Sequence, residues 1–282
     1  MLFENPIAIN ANFILMHDRV AYYKQLWGLQ NDGEPFSTPY SLLQPVRYDN
    51  IECMLKITNA GGDQRGNYLM AWWQGKGAAK VLKHDNAALL MERAAGGRSL
   101  AEMAKTGRDD DASRILCDTI AKLHSHQPPY PANLMQLDST FRDLESAASK
   151  LGGIFVESDG IAKKLLKDQR EIVALHGDIH HDNVLDFGER GWLAIDPKGL
   201  IGERGFDYAN IFCNPDAAVA TSPNRLMQQL EVVAKAAIHD KIRLLQWIAA
   251  WAGLSAVWSF DDKMDPEPAI TVAKMALAVL QL

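Results

Sequence analysis

The chain has 282 residues, 48% of them hydrophobic and 23% charged, which is enough for one large domain or two lobes with real cores. A formal net charge of −6 argues against general nucleic-acid binding, which favours a basic face. Cys53, Cys117 and Cys213 have no C-x-x-C spacing, no basic-then-apolar leader opens the chain, and the longest apolar stretch, 247–260, is too short to span a bilayer; a soluble, cytoplasmic protein without disulfides, structural zinc or membrane contact is expected.

Residues 1–33 have mixed polarity, and the three-residue spacing of Val20, Tyr23 and Leu26 predicts a helix around 18–26. Next come two alternating runs, 42–48 and 51–57, joined by Asp49-Asn50, which read as a hairpin. Lys56 ends the second run. Just upstream, 37–41 is a Ser/Thr/Pro turn whose amides and hydroxyls suit an anion. The aromatic run 68–74 reads as a helix behind the sheet, with Trp72 and Trp73 in its core. Two further strands, 78–82 and 87–92, flank Asp85-Asn86. Together these give a lobe of antiparallel sheet plus helix, and Gly96-Gly97 marks its end, dividing the chain into 1–95 and 96–282.

Beyond Ser99 the pattern is mainly helical. Ser99-Leu100-Ala101-Glu102 is a capping box, and 109–126 carries Ile115, Leu116, Thr119, Ile120 and Leu123 on one face, with His124 as a core or capping residue at its end. Helical patterns recur at 139–151 and 159–172. The second leads into His176-Gly177-Asp178-Ile179-His180-His181-Asp182-Asn183, followed by two short strand-like runs, 184–187 and 192–195, around the turn 188–191, and then Asp196. Asp178 and Asn183 have the five-residue separation of a kinase catalytic loop, where the Asp receives the acceptor hydroxyl proton and the Asn holds magnesium. A hairpin would bring Asn183 beside Asp196, two hard oxygen ligands with an open side for phosphate oxygens. The histidines 176, 180 and 181 also invite a metallohydrolase reading, which the spacing weakens: neighbours 180 and 181 point to opposite sides of most backbones.

A further helix starts at 205–210, and the C-terminal helices are expected from Ser222-Pro223 onward and over 240–260 and 266–281. Trp247, Trp251 and Trp258 share one helix face and read as core, and an acidic cluster, Asp261, Asp262, Asp265 and Glu267, follows.

The stretch from His176 to Asn183, with Gly-Trp-Leu-Ala-Ile-Asp-Pro-Lys-Gly after it, resembles the aminoglycoside phosphotransferases, in the branch of streptomycin 6-phosphotransferases and hydroxyurea phosphotransferases. The resemblance is specific over 171–216 and looser over 36–125 and 240–282. It implies an α+β, two-lobed, protein-kinase-like fold and ATP- and magnesium-dependent phosphorylation of a small-molecule hydroxyl. Residue by residue it casts Asp178 as the catalytic base, Asn183 and Asp196 as magnesium ligands, and Lys56 as the partner of the α- and β-phosphates. Ser37, Thr38 and Ser41 fall in the phosphate-covering loop and the backbone at Glu92 and Ala94 in the adenine hinge. His176 and Asp207 support the loop from behind, and Asp261, Asp262 and Glu267 lie on the acceptor side, where they suit ammonium or guanidinium groups. Two features depart from the kinase pattern. The covering loop is not glycine-rich, and no Glu follows Lys56, which leaves Asp63 as the nearest acid. A degenerate kinase-like binding module without turnover and a kinase of some non-antibiotic metabolite are the competing readings.

Overall fold

The computed structural model describes residues 6–38, 41–58 and 64–281, with side chains from Met16 onward. Helix α1 (Pro6–Trp27) leads into β1 (Gln30–Asn31), β2 (Phe36–Ser37), β3 (Ser41–Tyr48) and β4 (Ile51–Thr58), followed by α2 (Arg65–Trp73), β5 (Val81–His84) and β6 (Ala88–Glu92). These strands form one antiparallel sheet in the order β1-β3-β4-β6-β5, with β2 paired to the edge of β3. Helix α1 contains the helix expected at 18–26, and β3 to β6 correspond to the four expected runs, while β1 and β2 are unforeseen. Strands β1 and β2 are two residues long, too short to leave a period.

The hairpin β3–β4 turns where the sequence placed it. Asp49 and Asn50 both have positive φ, 48° and 64°, as a two-residue type I′ turn requires. Alternation along β4 then decides what each face of the sheet does. Cys53, Leu55 and Ile57 point to one side, where they pack with Val20 and Tyr23 of α1 and with Ala88 and Leu90 of β6. Met54 and Lys56 point to the other side, toward α2 and the rest of the molecule. Strand β5 begins three residues later than expected, because Ala78 and Ala79 bond elsewhere: Ala79 donates its amide to the Ala194 carbonyl, and Ala194 donates to Gly77.

The remainder is mainly helical. Ser99 caps α3 (Leu100–Met103) by accepting the Glu102 amide, and a wide turn joins it to α4 (Asp109–His124). Strand β7 (Met135–Gln136) precedes α5 (Leu137–Thr140), α6 (Arg142–Leu151) and α7 (Ile154–Lys167). The helical pattern at 159–172 is cut short at Lys167, and the chain there turns into β8 (Ile172–Leu175). Two strands, β9 (Val184–Asp186) and β10 (Trp192–Ala194), form the second hairpin, and β11 (Leu200–Glu203) lies between β7 and β8. Helices α8 (Gly205–Ala209), α9 (Ala217–Ala220), α10 (Arg225–Ala237), α11 (Lys241–Asp261) and α12 (Glu267–Leu280) complete the chain. Ser222-Pro223 does not open α10. Asp216 caps the unforeseen α9 by accepting the Val219 amide, and the chain kinks through Ser222–Asn224 before α10 starts. Helix α11 is apolar almost all round, so it runs through the middle of the helical lobe against α6, α7, α8 and α12. No helix among the described residues is long and apolar enough to cross a membrane.

The face of the sheet under α1 depends on Leu55, which is fully buried at its centre. Leu55→Ala should lower the free energy of unfolding by about 2–5 kcal/mol. Chemical denaturation checks this, and a loss below about 1 kcal/mol would mean that the layer between sheet and α1 is loosely packed.

Candidate active site

Strand β8 ends at Leu175, and the next two amides leave the sheet for a side chain. His176 N–H donates to Oδ2 of Asp207 at 2.9 Å and Gly177 N–H to Oδ1 at 2.8 Å. A carboxylate only accepts, so Nε2 of His124, 2.8 Å from Oδ2, carries a proton. Gly205 admits this arrangement, since a Cβ there would overlap the Trp247 ring and could not sit where α8 begins. His176 is buried and ties the loop to the hairpin: Nε2 donates to the Ile195 carbonyl at 2.8 Å and Nδ1 accepts the Asp178 amide at 3.3 Å. That pattern requires the neutral ring. Burial favours it too, pushing the His176 pKa below the ordinary histidine value.

The loop from 178 to 183 closes on itself. Asn183 donates Nδ2–H to the Asp178 carbonyl at 2.8 Å, so its Oδ1 faces away from the loop. Its own carbonyl accepts the Ile195 amide at 2.9 Å, which sets Asn183 and Asp196 side by side at the open end of β9–β10. Asp196 has φ +59° and precedes Pro197, a position that disfavours such backbone. Packing holds it there. Pro197 lies against Gly66 at the start of α2, Gly199 lies against Arg65, and Lys198 N–H donates to the His176 carbonyl at 2.7 Å. Lys56 pairs with the Asp196 carboxylate. Partial enclosure alone would raise the pKa of Asp196, but the charge and hydrogen bond of Lys56, aided by the charge of Lys198, hold it below the usual carboxylate value.

Two cavities flank this loop. One, of about 460 Å³, lies between the sheet and β9–β10; Leu43, Met54 and Met91 line one side, Leu185 and Ile195 the other, and Lys56, Asn183 and Asp196 its polar end. A flat apolar group fits between such walls, with anionic groups toward Lys56. The second cavity, of about 510 Å³, lies on the helical side, with Asp178 and Lys198 beside Trp251, Trp258, Asp261 and Asp262. Asn210 donates Nδ2–H to Oδ1 of Asp178 at 3.2 Å, and Lys198 Nζ lies 3.2 Å from Oδ2. Oδ1 of Asn210 accepts from Trp251 Nε1 at 3.0 Å and from Asn214 Nδ2 at 2.8 Å, which fixes the amide's orientation and aims its donor at Asp178.

The candidate residues divide accordingly. Asp178, Asp261 and Asp262 line the helical-side cavity, and Lys56, Thr38, Ser41, Glu92, Ala94, Asn183 and Asp196 line the other. Thr38 and Ser41 spend their amides on each other: Thr38 N–H donates to the Ser41 carbonyl and Ser41 N–H to Oγ1 of Thr38. Ser37 stands at the exposed β2 edge outside the cavity lining, and the Glu92 side chain pairs with Arg190. Glu267 is exposed at the start of α12, facing Lys274, and is absent from the lining of either cavity. Asp63 lies outside the described residues. Helix α2 contains no acid; it presents Asn67, 3% exposed, to the cavity that holds Lys56. Among the described residues no group of three or more His, Cys, Asp or Glu side chains converges as a metal cage, and the three loop histidines are dispersed: His176 on the Ile195 carbonyl, His180 on the helical-side cavity, His181 buried. Sequence reasoning missed Asn210, Lys198 and the cavity-facing role of Trp251 and Trp258. Their only local signals are the Asp207-Tyr208-Ala209-Asn210 run and the Lys after Asp-Pro, neither of which carries a spacing rule.

Residues 26–263 match the family described as aminoglycoside/hydroxyurea antibiotic resistance kinase. The chain is 46% identical over 241 residues to a streptomycin 3''-kinase of Klebsiella pneumoniae, covering 84% of this chain and 90% of that one. It is 28% identical over 273 residues to a streptomycin 6-kinase of Streptomyces griseus, covering 89% and 84%. Among solved structures, a choline/ethanolamine kinase family protein of Mesorhizobium loti superposes with a TM-score of 0.66 at 18% identity over 95% of both chains, which places this chain in the same protein-kinase-like fold.

His181 gives the loop a pH signature. It is 1% exposed with neither ring nitrogen bonded to a described partner, and burial, then the Arg225 and His180 charges, bring its pKa down to about 3. The unfolded chain binds that proton near pH 6.5 and the folded chain does not, so stability present above about pH 6.5 is lost on acidification toward pH 3. His176 and His239, also shifted down by burial, act in the same direction. His181→Leu should remove about one proton's worth of slope, about 1.4 kcal/mol per pH unit, from unfolding free energy between about pH 4 and 6. An unchanged slope would show that the folded protein protonates His181.

Proposed function

Because the chain belongs to the aminoglycoside/hydroxyurea antibiotic resistance kinases, we propose that it transfers the γ-phosphoryl group of ATP to the 3''-hydroxyl of streptomycin or of an aminoglycoside of the same cationic class. It is a phosphotransferase acting on an alcohol group, as its relatives are. The choice of the 3'' position follows the higher identity to the 3''-kinase, 46% against 28% for the 6-kinase. The observation that carries the reading is the placement of Asp178. It projects into a cavity with Asp261 and Asp262 on its wall, while Asn183, five residues on, projects into the neighbouring cavity with Lys56 and Asp196.

In this reading the purine lies between the apolar walls formed by Met54 and Met91 and by Leu185 and Ile195, within reach of the backbone at Glu92 and Ala94. Lys56 faces the α- and β-phosphates. Oδ1 of Asn183 and the carboxylate of Asp196, kept ionised by Lys56, are the hard oxygens magnesium prefers, and the ion supplies charge neutralisation at the phosphate oxygens. Asp178 does the acceptor's part. Asn210 holds Oδ1, each carboxylate oxygen keeps a lone pair, and the incoming hydroxyl donates its proton there as its oxygen bonds to phosphorus and the bond to ADP breaks. Catalysis is then positioning and charge compensation. The need for ATP sets the work in the cytoplasm.

With ATP and streptomycin, the purified protein should release ADP and yield a product phosphorylated at the 3''-hydroxyl, as read by phosphorus and proton NMR. Phosphate at the 6-hydroxyl would move the assignment to the other group of relatives, and no turnover across a panel of aminoglycosides would sink the substrate reading. Asp178→Asn should lower single-turnover rates by about 10²–10⁴ while ATP affinity stays within a few fold.

The acids at the end of α11 give a second test. Asp261 and Asp262 are exposed at the cavity rim, so their pairing with guanidinium or ammonium groups is screened and modest. Asp261→Asn with Asp262→Asn should raise the acceptor KM about two- to fivefold and leave the ATP KM alone. The wild-type advantage should shrink as salt rises. A double variant with an unchanged acceptor KM at low salt would place the cation's partners elsewhere.

A further inference from the structure

Lys198 does not fit a cavity built to hold a cation. Among the described residues lining the helical-side cavity it is the one lysine or arginine, and Asp178, Asp261 and Asp262 there supply three negative charges. A positive group there repels a guanidinium-bearing acceptor, so acceptor binding does not explain it. Nor does stability, because its side chain is 45% exposed, and an ion pair that open contributes little.

Its placement is nonetheless fixed. The Lys198 amide donates to the His176 carbonyl at 2.7 Å, which ties it to the loop. Gly177, without a Cβ, leaves room for its stem, and Gly199, at φ +71°, turns the chain against Arg65 directly afterward. From that anchor Nζ reaches within 3.2 Å of Oδ2 of Asp178, and its charge also acts on Asp196. Lys198 thus pairs with the carboxylate in the helical-side cavity and follows by two residues the one in the neighbouring cavity, on the segment at the gap between them. A phosphoryl group passing from one cavity to the other must cross that gap.

We propose that Lys198 is a catalytic residue whose ammonium contacts the terminal phosphoryl group of the nucleotide and follows it toward the acceptor oxygen beside Asp178. The contact offsets the negative charge spread over the three phosphoryl oxygens while the bond to ADP breaks and the bond to the acceptor forms, and it requires no proton to leave the lysine. The proposal rests on the kinase reading of Asp178 but not on which aminoglycoside is the acceptor. An ammonium in this place also explains how a cavity with three carboxylates admits a dianionic phosphoryl end without repelling it.

The test separates nucleotide from acceptor. In calorimetric titrations with magnesium present, Lys198→Met should weaken the binding of AMP-PNP, which carries a terminal phosphoryl group, by about tenfold, and leave that of ADP, which lacks it, within twofold. Lys198→Arg should recover most of the AMP-PNP affinity. With an acceptor that the wild type phosphorylates, Lys198→Met should lower kcat by about 10²-fold without raising the acceptor KM. If Lys198→Met keeps the wild-type ratio of AMP-PNP to ADP affinity, the proposal is overturned, whatever happens to turnover. Failure of the wild type to phosphorylate streptomycin would count against the substrate reading alone, since the nucleotide titrations need no acceptor.

Discussion

The carboxylate of Asp207, 1% exposed, takes the amide protons of His176 and Gly177 and the Nε2 proton of His124, and the loop between the two cavities is shaped by those three bonds. Backbone amides turned out of a sheet and buried need an acceptor, or the cost is about 1–3 kcal/mol for each. Asp207 supplies it at the place where β8 stops, so the chain can turn at Gly177, with φ +83°, without leaving donors unpaired. From that turn onward the loop has few choices. The Asn183 amide closes it on the Asp178 carbonyl, the Asn183 carbonyl starts the hairpin, and the hairpin delivers Asp196.

The two cavities are stiffened by different means, and this bears on what each can recognise. Beside the sheet the walls are mainly apolar, a shape that selects for flatness and asks little of side-chain hydrogen bonds. On the helical side a relay of oriented donors runs from Trp251 through Asn210 to Asp178, anchored in α11, which packs against α6, α7, α8 and α12. Changing the far end of α11 alters the rim acids without disturbing the relay, because Trp251 and Asp261 are nearly three helical turns apart. In the proposed reading, acceptor preference can therefore vary at the rim while the position of Asp178 stays fixed.

Sequence alone carried the elements whose signal is local. The Asp49-Asn50 hairpin, the capping box at Ser99 and the hairpin joining Asn183 to Asp196 each rest on a turn or cap chemistry written in adjacent residues, and each stands in the structure. What failed to show was non-local. Strands β1 and β2 exist because β3 offers an edge to pair with, and the early part of the expected strand at 78–82 is taken by Ala194, more than a hundred residues away. The Trp face of α11 read as core because helical spacing cannot tell a packed interior from a cavity wall. Trp247 and Trp251 are core, 0% and 3% exposed, but Trp251 also edges the cavity, together with the half-buried Trp258. Asn210 was unreadable for the same reason, since its function comes from two donors that hold its oxygen and both are set by tertiary packing.

The absence of an acid on α2 has a backbone counterpart. In a helix that carries a Glu toward the strand lysine, the side chain decides how near the helix must come. Here α2 approaches by its backbone instead. Gly66 has no Cβ because one would overlap the Pro197 carbonyl, and Arg65 closes on Gly199 in the same way. The start of α2 is thus seated on the segment that bears Asp196 and Lys198, and Asn67, one residue on, faces the cavity where Lys56 meets Asp196. Backbone contact of this kind has no rotamers to lose and no charge to screen, so it fixes the distance between sheet and hairpin independently of ionic strength. The strained φ of Asp196 persists because it is clamped from both sides, by α2 and by the amide of Lys198 on the His176 carbonyl.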